Sequence, residues 1–331
     1  MGPAPNTGRV GPRHPGWYLS TVGAAGHALG GGLRAQSRHA GLLSDALTSA
    51  TVVLPGGQAV TASATENPDL FWGLRGGGGN FGVTTSLTFA TFPIADADVM
   101  NLHFPTELFA QVLVGWQDWL RTADRSQWAL ADSTTDATGT HCRIMATCPA
   151  GSGDSVAGAI AKAVGLQPTA IDKQTFKYLD LVKYLASNNL NPAPLSYVGG
   201  SDVFRIVDAG AAQGIAAAVN AFPVGAGRML AIMHALDGAL ATVAPGATAF
   251  PWRGQSALVQ WYIEPSGSPS AALNWLNTAH QAVAPYSVGG YVNYVEAGQP
   301  AARYFGPNLS KLSAVRQKYD PGRVMFSGLA F

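Results

Sequence analysis

The sequence predicts an α+β protein with largely antiparallel sheets covered by helices, and three observations carry that reading. Residues 69–75 show a helical pattern that runs into the four glycines Gly76, Gly77, Gly78 and Gly79, and a β-branched run at 83–89 follows. A dinucleotide fold needs strand, glycines, then helix, so the match of residues 77–82 to G-x-G-x-x-G is rejected on its context. Residues 51–54 and 58–62 flank Pro55-Gly56-Gly57, the turn chemistry of a hairpin. Beyond Pro93, amphipathic helices alternate with short strands, which suggests a sheet with helices on one face.

With 331 residues the chain can bury a large core and form two lobes. Charged residues make up 12% and the net charge is +1, with no basic stripe to attract nucleic acid. No run of eighteen apolar residues suggests a membrane span. The 40 glycines follow no period, which excludes collagen and repeats. Residues 1–15 are rich in glycine and proline and lack a hydrophobic targeting core. They are predicted to be a disordered lead-in, and the chain as it stands reads as cytoplasmic. Cys142 and Cys148 could bridge in an exported protein or remain two thiols near a strand. Neither has a zinc-like partner, and no metal site is expected.

The elements follow in order. Residues 16–43 hold the glycines Gly23, Gly26, Gly30, Gly31 and Gly32 with His27 among them. Asp45 reads as a cap or turn residue. After the hairpin, the 76–79 glycines can form a nest of amide N–H groups suited to phosphate or carbonyl oxygens. Residues 106–120 predict an amphipathic helix, N-capped by Thr106, with Leu108, Phe109, Val112, Leu113, Trp116, Trp119 and Leu120 on its core face. Strands are predicted at 128–133, 141–147, near 166–171, 229–236 and 256–263. Helices are predicted at 154–164, 175–185, 209–221 and 270–283. Residues 188–200 read as a loop that could border a substrate entrance.

Residues 66–83 spell E-N-P-D-L-F-W-G-L-R-G-G-G-G-N-F-G-V. This resembles, almost letter for letter, the signature of the berberine-bridge-enzyme-like FAD-linked oxidases of the PCMH-type FAD-binding family, with Gly73 where that family has alanine. Gly23, Gly26, His27, Gly30, Gly31, Gly32, Ser37, Arg38 and Gly41 fall on a second family pattern. Phe250-Pro251-Trp252-Arg253 resembles its F-P-H-R, and Tyr291-Val292-Asn293-Tyr294 its Y-x-N-Y. The ending Lys318-Tyr319-Asp320-Pro321 through Phe326 completes the match.

The resemblance implies FAD as cofactor and a partial PCMH-type domain at 16–93. It also implies a substrate lobe at 94–285 and a C-terminal segment at 286–331 that returns to the FAD domain. The first glycine segment would wrap the flavin, with His27 the nearest side chain. Gly78, Gly79, Asn80, Phe81, Gly82 and Val83 would lie against the adenosine and pyrophosphate, and Asn293 would fix its strand against the flavin edge. Leu19 stands where many relatives attach FAD through cysteine, so no thioether forms there. Arg34 replaces a common glycine and would crowd the loop or pair with phosphate. The first subdomain of the family pattern has no counterpart in the roughly fifteen residues before position 16, so the chain reads as truncated.

Flavin oxidation of an alcohol or amine moves a hydride to N5 and removes a proton from the substrate. A phenol is a poor base unless its surroundings help it. Tyr291 and Tyr294 are the candidates. Gln260 falls where relatives place a polar or acidic group facing the flavin; lacking a carboxylate there, the expectation leans to Tyr291. Glu264 is the only carboxylate close by in sequence. The expected substrate is a small alcohol, sugar or polyketide-like molecule. The expected assembly is a homodimer or a complex with a separate N-terminal FAD-binding piece. A flavin-free binding module and half of a split enzyme remain alternatives. No G-x-S-x-G or H-E-x-x-H supports a hydrolase.

Overall fold

The computed structural model describes residues 22–185, 196–329 and 331. Two antiparallel sheets form among them. The smaller has the order β2–β1–β3, from β1 (Leu47–Val53), β2 (Ala59–Ser63) and β3 (Val83–Phe89). The larger adds β4 (Ala97–Phe104), β5 (Trp128–Asp136), β6 (Gly139–Pro149), β7 (Ala170–Phe176), β8 (Val198–Phe204), β9 (Gly227–Ala235), β10 (Ala257–Pro265) and β11 (Ser287–Gly289). Its order is β11–β8–β10–β9–β5–β6–β4–β7. Antiparallel pairing throughout matches the predicted class.

The helices are α1 (Ala24–Leu29), α2 (Ser37–Ala40), α3 (Pro68–Leu74), α4 (Phe109–Leu120), α5 (Gly153–Val164), α6 (Tyr178–Leu185), α7 (Ala209–Asn220), α8 (Pro269–Val283), α9 (Ala301–Phe305) and α10 (Leu309–Tyr319). Apolar faces of α4, α5, α7 and α8 cover one face of the large sheet, and their shared core includes Trp116, Ile160, Ile215, Trp261 and Trp275. Such a face is the hydrophobic stripe that holds an amphipathic helix to a sheet. The tryptophans of α4 are core residues, as their spacing suggested. Leu70, Phe71 and Trp72 of α3 pack with Leu312 and Val315 of α10 beneath the small sheet. The end of the chain thus returns to its beginning.

Several boundaries differ from expectation. The first turn of the 106–120 segment is a 3-10 turn, Thr106–Leu108, and no Thr106 hydroxyl caps the α-helix that starts at Phe109. The strand expected near 166–171 runs from Ala170 to Phe176, so residues 175 and 176 are strand and not helix. β7 is an exposed edge paired only with β4, and its polar run Asp172-Lys173-Gln174 hides the strand pattern. Of the 188–200 loop, residues 188–195 lie outside the described residues, and 198–200 begin β8. A Cβ on Gly200 would lie 2.4 Å from Glu296 Cδ, so glycine admits that carboxylate to the strand. Cys142 and Cys148 are free and buried on one extended strand. Six residues of strand separate them by about 20 Å, far beyond disulfide reach. Leu19 and residues 1–15 lie outside the described residues.

Two buried arginines tie the layers together. Arg38 pairs with Asp237 at 2.8 Å and donates to the carbonyls of Leu120, Ala123, Asp124 and Gln127. Arg253 pairs with Asp45, whose Oδ2 also accepts from the Leu42 amide as a turn residue should. Arg34, expected to crowd its loop or pair with phosphate, folds back onto its own loop. It is 1% exposed and donates to the carbonyls of Ala40, Gly41 and Leu42.

Candidate active site

The two glycine ribbons meet. The amides of Gly76 and Gly78 both donate to the Leu29 carbonyl, at 2.9 and 3.0 Å. One carbonyl at the end of α1 therefore pins the 76–79 turn. The glycines divide by what surrounds them. A Cβ on Gly30 would sit 1.8 Å from Asn293 Oδ1, one on Gly31 3.1 Å from the Phe250 ring, and one on Gly32 2.6 Å from Leu43 Cβ. Gly82 backs onto the Val53 carbonyl, and Gly73 onto the Phe81 ring, where a Cβ would lie 2.8 Å away. Glycine at 73 leaves room for the buried Phe81 ring. Gly23, Gly26 and Gly79 face open space, and Gly78 is nearly as free. Of the predicted ligand-facing set, Gly30, Gly31, Gly32, Phe81 and Gly82 are engaged in chain packing, while Gly23, Gly26, Gly78, Gly79 and the exposed Val83 remain accessible.

Asn80 is 4% exposed; its Nδ2 donates to the Gly77 carbonyl at 2.8 Å and its Oδ1 has no protein partner. A cleft of about 260 Å³ lies between Gly78, Gly79 and Asn80 on one side and Val292, Asn293 and Val295 on the other. A larger groove of about 400 Å³, near Phe222, Pro265 and Trp275, touches none of these residues.

The Tyr291-Val292-Asn293-Tyr294 segment forms a 3-10 turn over the first ribbon. The Tyr291 hydroxyl oxygen accepts from Gly32 N at 2.9 Å and from Asn293 Nδ2 at 2.8 Å. Asn293 Nδ2 also donates to the His27 carbonyl at 3.1 Å. Tyr294 stands edge-on to Tyr291, with ring centroids 5.1 Å apart, and lies 6.4 Å from the His234 ring. His234 Nε2 is 3.4 Å from Gln260 Oε1. Tyr291, Asn293, Tyr294, His27 and Gln260 thus gather around one corner. Glu264 pairs instead with Arg228, at 3.4 Å. His234 was missed from sequence. Its signal was its place in β9 opposite Leu258, which puts it on the Gln260 face of the sheet.

Burial controls the charges here. His27 and His234 are both lowered to about 4 by desolvation, so each is neutral at neutral pH; a Leu33 backbone hydrogen bond opposes the shift in His27 and Gln260 opposes it in His234. Burial pushes Tyr291 up to about 12 against the opposing Gly32, Leu33 and Asn293 donors. It raises Tyr294 as well, with the nearby Tyr291 adding to the shift. Among the described residues no group of three His, Cys, Asp or Glu side chains could hold a metal ion, and no helix is long and apolar enough to cross a membrane.

A family profile described as "Berberine and berberine like" matches residues 290–325, the stretch that carries Tyr291, Asn293 and Tyr294. The uncharacterized FAD-linked oxidoreductase YgaK of Bacillus subtilis is 27% identical over 94% of this chain and 70% of its own. Chitooligosaccharide oxidase of Gibberella zeae is 29% identical over 91% of this chain and 65% of its own. A solved chitooligosaccharide oxidase superposes with TM-score 0.83 at 26% identity, over 93% of this chain and 70% of that one. These matches support the berberine-bridge-enzyme-like FAD-linked oxidase family for this chain. The chain spans 65–70% of the length of those curated relatives. A BBE-like structure from Physcomitrella patens, 23% identical with TM-score 0.84 over 96% of this chain and 71% of that one, has the same fold. The berberine-bridge-like signature falls here on α3, the Leu29-pinned turn and β3, and its Y-x-N-Y on the turn that closes the first ribbon.

Proposed function

We propose that the chain forms the substrate lobe and part of the cofactor cradle of an FAD-dependent oxidase acting on a carbohydrate-like alcohol. The meeting of both glycine ribbons at the Leu29 carbonyl carries this reading, because it sets an open backbone edge beside the tyrosine corner. The residues fit a flavin nucleotide at that edge: Gly23, Gly26 and Gly79 leave open space, and the buried Asn80 Oδ1 is an acceptor with no protein partner. Bound FAD would supply the hydride acceptor. Attachment through a cysteine at position 19 is excluded, because that residue is leucine. Chitooligosaccharide oxidase among the relatives supports a sugar-like substrate.

Tyr294 is the phenol best placed to take the substrate proton. It is half-buried on the side of Gln260 and His234, whereas Tyr291 is 1% exposed and already accepts from Gly32 and Asn293. Tyr291 instead holds the corner together. Gln260, with His234 beside it, can orient a substrate hydroxyl. A base whose pKa lies above its ordinary value acts through a small ionised fraction, so the rate should climb with pH. The test is anaerobic bleaching of the FAD-loaded chain by chito- and other oligosaccharides. Bleaching by at least one sugar supports the reading, and none by any sugar or simple alcohol contradicts it.

A flavin-free binding module is the second reading, favoured by the modest cleft volume of about 260 Å³. It expects sugar binding by calorimetry with no flavin uptake.

A further inference from the structure

A buried charge cluster lies beside the tyrosine corner. Asp202 of β8 accepts from His280 Nδ1 at 2.6 Å, Arg303 Nη2 at 3.0 Å, Trp261 Nε1 at 2.9 Å and Ser287 Oγ at 2.7 Å. The other ring nitrogen of His280 meets Glu296 Oε2 at 2.7 Å. Two carboxylates, one guanidinium and one imidazolium balance, and the carboxylate side chains are 1% and 8% exposed. A buried ion cluster is tolerated only when charges and hydrogen bonds are matched in this way.

The cluster holds both ends of the turn that bears the tyrosines. At one end Tyr291 N donates to Ser201 Oγ at 2.8 Å, and Ser201 O accepts from Arg303 Nη2 at 2.6 Å. At the other end Glu296 Oε1 accepts from Ser201 N at 3.3 Å, and Glu296 N donates to the Tyr304 hydroxyl at 2.8 Å. Between these anchors lie Tyr291, Asn293 and Tyr294, and beside them Val295 is exposed. From α8, His280 joins Asp202 on the sheet to Glu296 on the turn.

We propose that His280 is a positioning residue: as a doubly bonded imidazolium between Asp202 and Glu296, it clamps the 291–296 turn, and with it Tyr291 and Tyr294, onto β8. The clamp rests on the proposed function only for what the tyrosines do; its own test needs neither substrate nor flavin. Both carboxylates raise His280 to about 9 against desolvation. The titratable and charged groups facing it are Asp202 from β8, Glu296 from the turn, and Arg303 and Tyr304 from α9, the last pushed up to about 12 by burial. A histidine raised above its ordinary value of 6.5 gives its full contribution below that value and loses it as pH rises through about 9. The clamp therefore opens on the alkaline side.

Hydrogen exchange of the intact chain, read peptide by peptide and corrected for the intrinsic pH dependence, tests this. In wild type, protection of the 290–296 peptide should fall about tenfold or more as pH rises through about 9, while the β5 peptide 128–136 holds. His280→Gln should show that low protection already near neutral pH, with no further fall on the alkaline side. Histidine NMR adds a readout that simple packing would not move: both ring protons of His280 should persist at about pH 8. Uniform protection across that range in wild type overturns the proposal, as does a neutral His280 ring near neutral pH. Loss of protection spread equally over 128–136 and 290–296 in wild type also overturns it.

Discussion

The Arg253 guanidinium grips the Asp45 carboxylate through two bonds, 2.7 Å to Oδ2 and 2.6 Å to Oδ1, across 208 residues of chain. Arg253 is fully buried and also donates to the Leu240 carbonyl and Thr248 Oγ1. The family-like Phe250-Pro251-Trp252-Arg253 corner is thus bolted to the turn before β1, and Phe250 is held against Gly31 and Tyr291. Arg253→Met should leave Asp45 without its partner and cost about 3–5 kcal/mol, while Asp45→Leu with Arg253→Met should recover part of that loss. Denaturant unfolding of the three variants checks the order.

The tyrosines should separate by role. Tyr294→Phe should keep stability within about 0.5–1 kcal/mol of wild type yet lower the flavin reduction rate by about 10²–10⁴-fold. Tyr291→Phe removes the acceptor for Gly32 N and Asn293 Nδ2, so it should cost about 1–3 kcal/mol in stability. Reduction kinetics alongside thermal unfolding distinguishes the two outcomes.

Glycine position should decide whether a substitution harms the fold or the ligand. Gly30→Ala places its methyl onto Asn293 and should both destabilise the protein and abolish FAD uptake. Gly79→Ala meets nothing within 4 Å, so stability should hold within about 0.5 kcal/mol while FAD binding weakens. Thermal unfolding and quenching of flavin fluorescence measure the two effects.

Stability should peak near pH 6.5 and fall on either side, towards about pH 4 and towards about pH 9. His27 and His234 are depressed from 6.5 to about 4, so the unfolded chain takes up protons first as pH falls below 6.5, and stability drops until about 4. His280 is raised to about 9 and has the opposite sign, losing its contribution on the alkaline side. Urea unfolding across pH reads both limbs. His234→Gln should flatten the acid limb, and His280→Gln the alkaline one.

Much of this architecture was legible from residues alone, for local reasons. Pro55-Gly56-Gly57 between two β-branched runs can do little but turn, and the core face of residues 108–120 repeats at helical spacing. That the glycine-rich stretches around 30 and 78 share one locus came from the family resemblance, and the Leu29 carbonyl joins them. Other parts had no local signature. β7 is a polar edge held by one neighbour, and β8 carries a glycine, Gly200, that makes room for Glu296, nearly a hundred residues away. His234 stands among apolar residues and gains meaning only from cross-strand register with β10. The Asp202, His280, Glu296 and Arg303 cluster draws one residue from each of four segments, so no spacing announces it.

The most direct measurement is a titration of the purified chain with FAD, followed by visible absorbance and flavin fluorescence and repeated with Gly79→Ala. Expected are saturable uptake, with a flavin band that travels with the protein through gel filtration, and weaker uptake in the variant. A folded chain that stays colourless and leaves FAD fluorescence unchanged at every concentration would contradict a cofactor edge at the joined glycine ribbons.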